Sequence, residues 1–516
     1  MKERMIAMMA RLKSVGLTGL TGYLVDVEAD LSQGLPGFDV VGLPDAAVRE
    51  SRDRVRAAIK NGGYTYPVSR ITVNLAPADV KKEGAVYDLP LYLALLKASG
   101  QLKAPLEGRA FLGELSLDGT LRPVRGVLPM AIAAREGGVK ELYIPADNAA
   151  EGAVVDGLAV YPVESAAALL GHLTGETPLS PVKEDDFLPL PCEDAPDFAD
   201  VMGQAAARRA LEIAAAGSHN VLLIGPPGAG KSMLAKRLPS ILPDMTREEA
   251  LETSKIHSIA GLLPRGTGLL RSRPFRAPHH NISAQGLAGG GAFPKPGEVS
   301  LAHNGVLFLD ELPEFNRLAM ESLRQPLEDG IVSISRVSGT LRYPCSLMLV
   351  AAMNPCPCGY FGHPTRACTC TPAAAQRYLS RISGPLLDRI DLHIEVPPVE
   401  FRQLASPEKA ESSASIRERV NAVRAIQRRR FEGTGITGNA RIPAGRLKEF
   451  CPLTDSARTL LEAAFERMGL SARAYDRLLK VSRTIADMAG SEVIQAEHIS
   501  EAVQFRSLDR KYWQNR

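Results

Sequence analysis

The sequence predicts an α/β fold in three parts: a mixed α+β domain over residues 1–172, a parallel-sheet core over 199–400 and a helical lid over 401–516. Three observations carry that prediction. Between about 200 and 400, apolar strand-like runs alternate with helical stretches, as a parallel sheet requires. Beyond about 400, Arg, Glu and Ala recur at helical spacing with few strand signals. Before about 170, strand-like runs mix with a helical stretch, and the Pro-rich acidic segment "GETPLSPVKEDDFLPLPCEDAPDF" reads as a linker over 173–198. A chain of 516 residues also exceeds what one hydrophobic core holds, since cores stop growing at roughly 250–300 residues.

Composition narrows the class. With 45% hydrophobic and 23% charged residues the chain is that of a folded protein. The opening "MKERMIAMMARLKSVGL" sets basic residues inside its apolar stretch, and no run reaches the ~18 apolar residues of a membrane span, so the expected location is cytoplasmic, without membrane contact. A net charge of +3 is too small to imply nucleic acid by itself; any basic surface must be local. Seven cysteines, an odd number without a secretion signal, fit a reducing compartment where clustered thiols bind metal.

The strongest local signal is "NVLLIGPPGAGKSMLAKRL". The apolar run Val221 to Ile224 leads into Gly225, Pro226, Pro227, Gly228, Ala229, Gly230, Lys231 and Ser232, and then into a helical pattern. That order of strand, glycine loop and helix is a P-loop: glycines let backbone N–H groups turn inward around phosphates, and the helix N-terminus adds positive potential. Lys231 is expected to reach the outer phosphates and Ser232 to ligate Mg2+, with ATP the default nucleotide. Further on, "GVLFLDELPEF" places Asp310 and Glu311 at the end of an apolar strand, Val306 to Leu309. Asp310 is suited to the magnesium shell and Glu311 to polarising the attacking water. The next strand-like run, "CSLMLVAAMN", ends in Asn354, a polar group that can position that water.

With these motifs in place the chain resembles an AAA+ ATPase, and more narrowly the magnesium-chelatase-like family that includes the YifB and ComM proteins. The resemblance extends over "GLPGFDVVGLPDAAVRESRDRVRAAIKNGG", "FRAPHHNISAQGLAGGG", the cysteine pattern, "GPLLDRID" and "LSARAYDRLLKVSRTIADMAG". It implies that Asn354 is sensor 1, that Arg389 is an arginine finger acting on a neighbouring subunit's ATP, and that Arg473 is the sensor 2 arginine. A guanidinium stabilises the charge of a transferring phosphoryl group. For Arg389 a local ion pair with Asp388 or Asp391 is the competing reading. The family also implies a homo-oligomer, a hexameric ring, working as a DNA helicase or translocase in branch migration during recombination or natural transformation. Two alternatives stand beside it: an unfoldase or protease-associated ATPase, and a magnesium-chelatase ATPase subunit.

The N-terminal region is similar to the Lon proteolytic domain, in "VNLAPADVKKEGAVYDLPLYLALLKASG" and "FLGELSLDGTLRPVRGVLPMAIAAREGGVKELYIP". By that resemblance Val86 stands near the nucleophile position and Leu128 near the lysine position. Neither can do the chemistry, so a peptidase is not expected, and Lys81 and Lys82 lack a matching serine. "GIVSISRVSGTLRYP" reads as a hairpin around Ser338-Gly339, and the resemblance puts Arg336 where a basic residue grips the DNA backbone; a solvated arginine is the alternative. The loop "FRAPHHNISAQGLAGGGAFPKPGE" is a second pore candidate, and the basic stretch from Ser415 to Phe431 reads as a helix. Cys356, Cys358, Cys368 and Cys370, in a C-x-C, nine-residue gap, C-x-C pattern, form a candidate structural Zn2+ site in which His363 is an alternative ligand. Cys192, Cys345 and Cys451 read as packing residues.

Overall fold

The computed structural model describes residues 9–183, 187–190, 196–291, 295–336, 339–363, 365–399 and 410–514. Cys192 lies outside them, and of Arg336 only the backbone is described. The chain forms two compact units, Met1–Leu188 with Ala250–Leu270, and Pro189–Glu249 with Arg271–Arg516. This division differs from the sequence reading in two ways. Ala250–Leu270, expected within the core at 199–400, belongs to the first unit, and the lid does not separate from the core. No helix among the described residues is long and apolar enough to cross a membrane.

The first unit is built on a seven-stranded sheet in the order Gly37–Val41, Arg70–Ala76, Thr21–Ser32, Met9–Thr18, Arg109–Phe111, Glu141–Pro145, Ala159–Val163. Thr21–Ser32 shows why it forms: Val25, Val27, Ala29 and Leu31 are buried, while the intervening Asp26, Glu28 and Asp30 are half-buried on the opposite face. On that face Arg11 and Lys13 pair with Asp26 at 2.8 and 3.3 Å across the antiparallel ladder. The helix Asp88–Ala98 is apolar almost all round and almost wholly buried. Each of its leucines contributes about 1.5–3 kcal/mol by leaving water. Its one acid, Asp88, is fully buried, and is neutralised by Arg54 at 2.6 Å, with Ser51 and the Leu115 amide donating to the same carboxylate.

The second unit carries a five-stranded parallel sheet in the order Phe275–Arg276, Val306–Leu309, Met348–Met353, Val221–Ile224, Leu392–Glu395. The three central strands are buried at every residue, as a sheet covered on both faces requires. Helices follow in the C-terminal part at Ser413–Arg430, Asp455–Met468, Ala472–Met488 and Ala496–Gln504, the first three capped by the side chains of Ser412, Thr454 and Ser471. The basic stripe on Ser413–Arg430 is largely spent inside the unit. Arg417 pairs with Asp244, Arg419 with Glu212 and Glu411, and Arg430 with Asp487.

Candidate nucleotide site and cationic cavity

Parallel α/β sheets place their chemistry beyond the carboxyl ends of the strands. Val221–Ile224 lies inside this sheet, running in register with Met348–Met353 on one side and Leu392–Glu395 on the other. Gly225 follows it without room for a side chain: a Cβ there would stand 2.2 Å from the Val396 carbonyl oxygen. Gly228 and Gly230 take φ of +77° and +89°, the left-handed region that lets the loop turn. A Cβ on Gly228 would meet nothing within 4 Å, so the mouth of the loop is open.

Four polar side chains from three adjacent strand ends meet at this mouth. Lys231, at the start of the helix Lys231–Arg237, donates to the carbonyls of Gly225 and Pro226 at 2.7 and 2.9 Å, and to Asn354 Oδ1 at 3.0 Å. Burial pulls its ammonium below the usual lysine range, against the pull of Asp310 and Glu311. Ser232 Oγ donates to Asp310 Oδ2 at 2.6 Å. A hydroxyl and a carboxylate oxygen at that separation, beside a lysine held by carbonyls alone, form a donor set that fits Mg2+ and a phosphate chain. Glu311 adopts φ +53°, a strained setting for a non-glycine residue, and its side chain is largely exposed.

Sequence reasoning missed what Glu311 faces. His280 Nδ1 lies 3.4 Å from Glu311 Oε2, so the loop following Phe275–Arg276 reaches the acid directly. The adjacent histidines were a visible signal, but only the fold brings one of them to Glu311.

Arg389 and Arg473 are brought together elsewhere. Both line a cavity of about 370 Å³ that Lys231, Ser232, Asp310 and Asn354 do not line. Arg441, Arg477 and Lys480 join them there, so five cations face the three acids Glu328, Asp391 and Asp476. Arg389 is not paired with Asp388 or Asp391, the alternative open in the sequence. Its Nη2 binds Glu328, and its Nη1 donates to the Pro385 carbonyl at 2.7 Å. Asp391 belongs instead to Arg477. Burial alone would raise the Asp391 carboxyl, but Arg477, His219 and the Asn220 amide outweigh it and hold it far below its usual range.

The four clustered cysteines come within reach of one centre. Their sulfurs all lie within 4.8 Å of one another, with Cys356 to Cys358 at 3.4 Å, Cys356 to Cys368 at 3.7 Å and Cys358 to Cys368 at 3.5 Å. Tetrahedral zinc with Zn–S bonds of about 2.3 Å spaces its sulfurs about 3.8 Å apart, so the set fits that ion. Backbone amides, that of Tyr360 foremost, bring the Cys358 thiol down to about 5, while burial pushes Cys356 up to about 12. His363 is outside the cluster; its Nδ1 accepts from the amides of Thr365 and Arg366. The cysteine loop also touches the P-loop, because a Cβ on Gly359 would lie 2.4 Å from Pro227 Cδ. Cys345 and Cys451 are buried single thiols, as expected of packing residues.

The hairpin of Ile331–Arg336 and Gly339–Pro344 pairs Arg336 with Gly339, so Gly339 is a strand residue; Val337 and Ser338 lie outside the described residues. Its alternation buries Val332, Ile334 and Tyr343 and exposes Ser333, Ser335, Thr340 and Arg342. Arg342, directly opposite Ser333, is the cation on the open face, a position that counting by twos along the second strand could have found.

In the N-terminal unit Val86 is buried in a short turn, and Leu128 is fully buried at the start of Val127–Glu136. Lys82 is buried too, its amine held by the carbonyls of Pro77 and Val80.

Three family models match successive stretches of the chain. Residues 197–404 match that of magnesium chelatase, subunit ChlI; 27–148 match subunit ChlI of Mg-chelatase; 410–506 match the subunit ChlI C-terminal model. Among curated proteins, the uncharacterised protein YifB of Escherichia coli is 45% identical over 497 residues, 95% of this chain and 96% of that protein. The competence protein ComM of Haemophilus influenzae is 45% identical over 500 residues, with the same coverage. The chain belongs to the magnesium-chelatase-like family of YifB and ComM. Lon protease 2 of Bacillus subtilis is 29% identical over 143 residues, 26% of this chain and 25% of that protein.

Proposed function

We propose that this member of the YifB and ComM family is an ATP-hydrolysing ring motor that moves on DNA. The observation that carries the ATPase reading is the meeting of Lys231, Ser232, Asp310 and Asn354 at three neighbouring strand ends. In this reading Lys231 and the open P-loop amides hold the phosphate chain. Ser232 and Asp310 hold Mg2+, which supplies neutralisation of the phosphate oxygens. Glu311 accepts a proton from the attacking water, and Asn354 orients that water. His280 holds the Glu311 carboxylate between turnovers.

The separation of Arg389 and Arg473 from the P-loop side chains supports an oligomer, in which both arginines meet the nucleotide of a neighbouring copy, a hexamer by analogy with the family. Cys356, Cys358, Cys368 and Cys370 hold structural Zn2+, with no position left for a water. The sequence-independent DNA contact is carried by the hairpin, Arg342 on its open face together with Arg336. The name of the ComM relative, a competence protein, supports a role in handling incoming DNA.

ATPase rates measured without addition, with single-stranded DNA, with forked DNA and with an unfolded protein test the substrate. DNA is expected to stimulate, and affinity should fall as salt rises because each neutralised phosphate releases counterions. Arg342→Ala and Arg336→Ala should each weaken single-stranded and forked DNA equally. Stimulation by unfolded protein alone would replace this reading with that of an unfoldase.

A further inference from the structure

The acids around the cationic cavity differ in what they hold. Asp391 is buried and locked to Arg477, whereas Glu328 reaches the guanidinium of Arg389 from a half-exposed position. Its side chain is 53% exposed, while that of Arg389 is 9% exposed. Water competes for such a carboxylate, so the pair is weaker than one largely shielded from water on both sides, like that of Arg477 with Asp391. Arg389 gains little else: one carbonyl bond to Pro385, and a buried Nε with no hydrogen-bond partner. A phosphate carries more charge than a carboxylate and accepts a guanidinium in the same two-pronged geometry, so it would outcompete Glu328 for Arg389.

Glu328 also has a particular place in the chain. It lies in the short helix Arg324–Asp329, which ends at Gly330 with φ +68° and passes directly into the hairpin strand Ile331–Arg336. The Cys345 amide donates to the Gly330 carbonyl at 2.8 Å and closes the base of that hairpin. Whatever pulls on the hairpin therefore pulls on the segment that carries Glu328.

We infer that Glu328 is a positioning residue that holds Arg389 withdrawn in this cavity, standing where a phosphate of a neighbouring copy's nucleotide would bind, and that load on the hairpin releases it. The inference rests on the reading of Arg389 as acting on a second copy's nucleotide. Releasing the pair frees the guanidinium to face that nucleotide, and the hairpin becomes the lever through which a bound strand sets the rate. Glu328 touches neither nucleotide nor water in this scheme.

Steady-state ATPase kinetics of the full chain decide it, comparing the parent with Glu328→Gln, Arg389→Ala and the double variant, each with and without single-stranded DNA. Glu328→Gln should raise kcat without DNA at least three-fold, leave KM for ATP unchanged because the P-loop is untouched, and shrink the further gain on adding DNA. The double variant should be as inactive as Arg389→Ala, since the release then has nothing to act through. A Glu328→Gln rate at or below the parent's, with Arg389→Ala inactive, overturns the inference and leaves the finger reading standing. A double variant as fast as Glu328→Gln alone also overturns it. An Arg389→Ala rate equal to the parent's removes the finger reading itself and the inference with it.

Discussion

The two units of this chain fill the positions that resemblance marks for chemistry in opposite ways. In the second, three neighbouring parallel strands end in Gly225, Asp310 and Asn354, and Lys231 and Ser232, which follow the Gly225 loop, donate to Asn354 and Asp310 at 3.0 and 2.6 Å. In the first, the positions that a Lon-like resemblance marks for chemistry hold Val86 and Leu128, both packed away from solvent. A sheet with helices on it supports a core in both cases. Polar groups converging at a strand end are what distinguish a site from a scaffold.

Five experiments bear on that contrast, beginning with the largest effect. Glu311→Gln should still bind ATP but lose hydrolysis by about 10²–10³-fold, the scale of removing a general base, while Lys231→Ala should lose binding itself. Nucleotide binding and turnover measured on both variants would expose the assignment as wrong if they lost binding equally.

Asp391→Asn leaves Arg477 and the Asn220 amide facing a neutral group inside the protein, and should lower stability by about 3–5 kcal/mol at pH 7. The folded Asp391 carboxyl sits far below its unfolded value of about 3.9, so its stabilising contribution is present above that pH and fades as the medium becomes more acidic. Denaturant melts should therefore show the gap between parent and variant narrowing below about pH 4.

In the first unit, Leu128→Ala should cost about 2–5 kcal/mol through the cavity it leaves. ATPase turnover at a temperature where the variant remains folded should match the parent, and a large fall in kcat there would mean that this position does more than pack. The smallest expected effects concern the cysteines and Val86. Purified chain should carry about one zinc, lost on replacing Cys356 and Cys358 together by Ser, with a lower melting temperature; metal analysis finding none in reduced protein would refute the site. Val86→Ser should lower stability by about 1 kcal/mol and confer no peptide hydrolysis, since Lys82 is held by carbonyls; casein degradation by that variant would show a latent dyad.

What the sequence disclosed and what it withheld follows from how far apart the partners lie. The P-loop is legible because its strand, glycines, lysine and serine are contiguous, and each has a local physical reason. The apolar runs Val221–Ile224 and Val306–Leu309 are legible because both flanks change abruptly to polar or glycine residues. Arg389 and Glu328 are separated by 61 residues, and Arg477 and Asp391 by 86, so no periodicity joins them. The open face of the hairpin, with Arg342 opposite Ser333, is legible from alternation along each strand, whereas the register that pairs the two strands comes only from the fold. The boundary between the units was hidden most completely, because Glu249 and Ala250 are consecutive residues of one uninterrupted helix, Arg247–Ala260.

That helix bears on how such a protein can be divided. Since Ala250–Leu270 belongs to the first unit while the chain on either side of it belongs to the second, no single cut yields two intact pieces. A chain begun after the linker would carry a stretch cut off from the rest of its unit, one in which Ala250, Ile256 and Leu269 are buried in the whole molecule. A junction made at any one point of the chain therefore leaves at least one unit split.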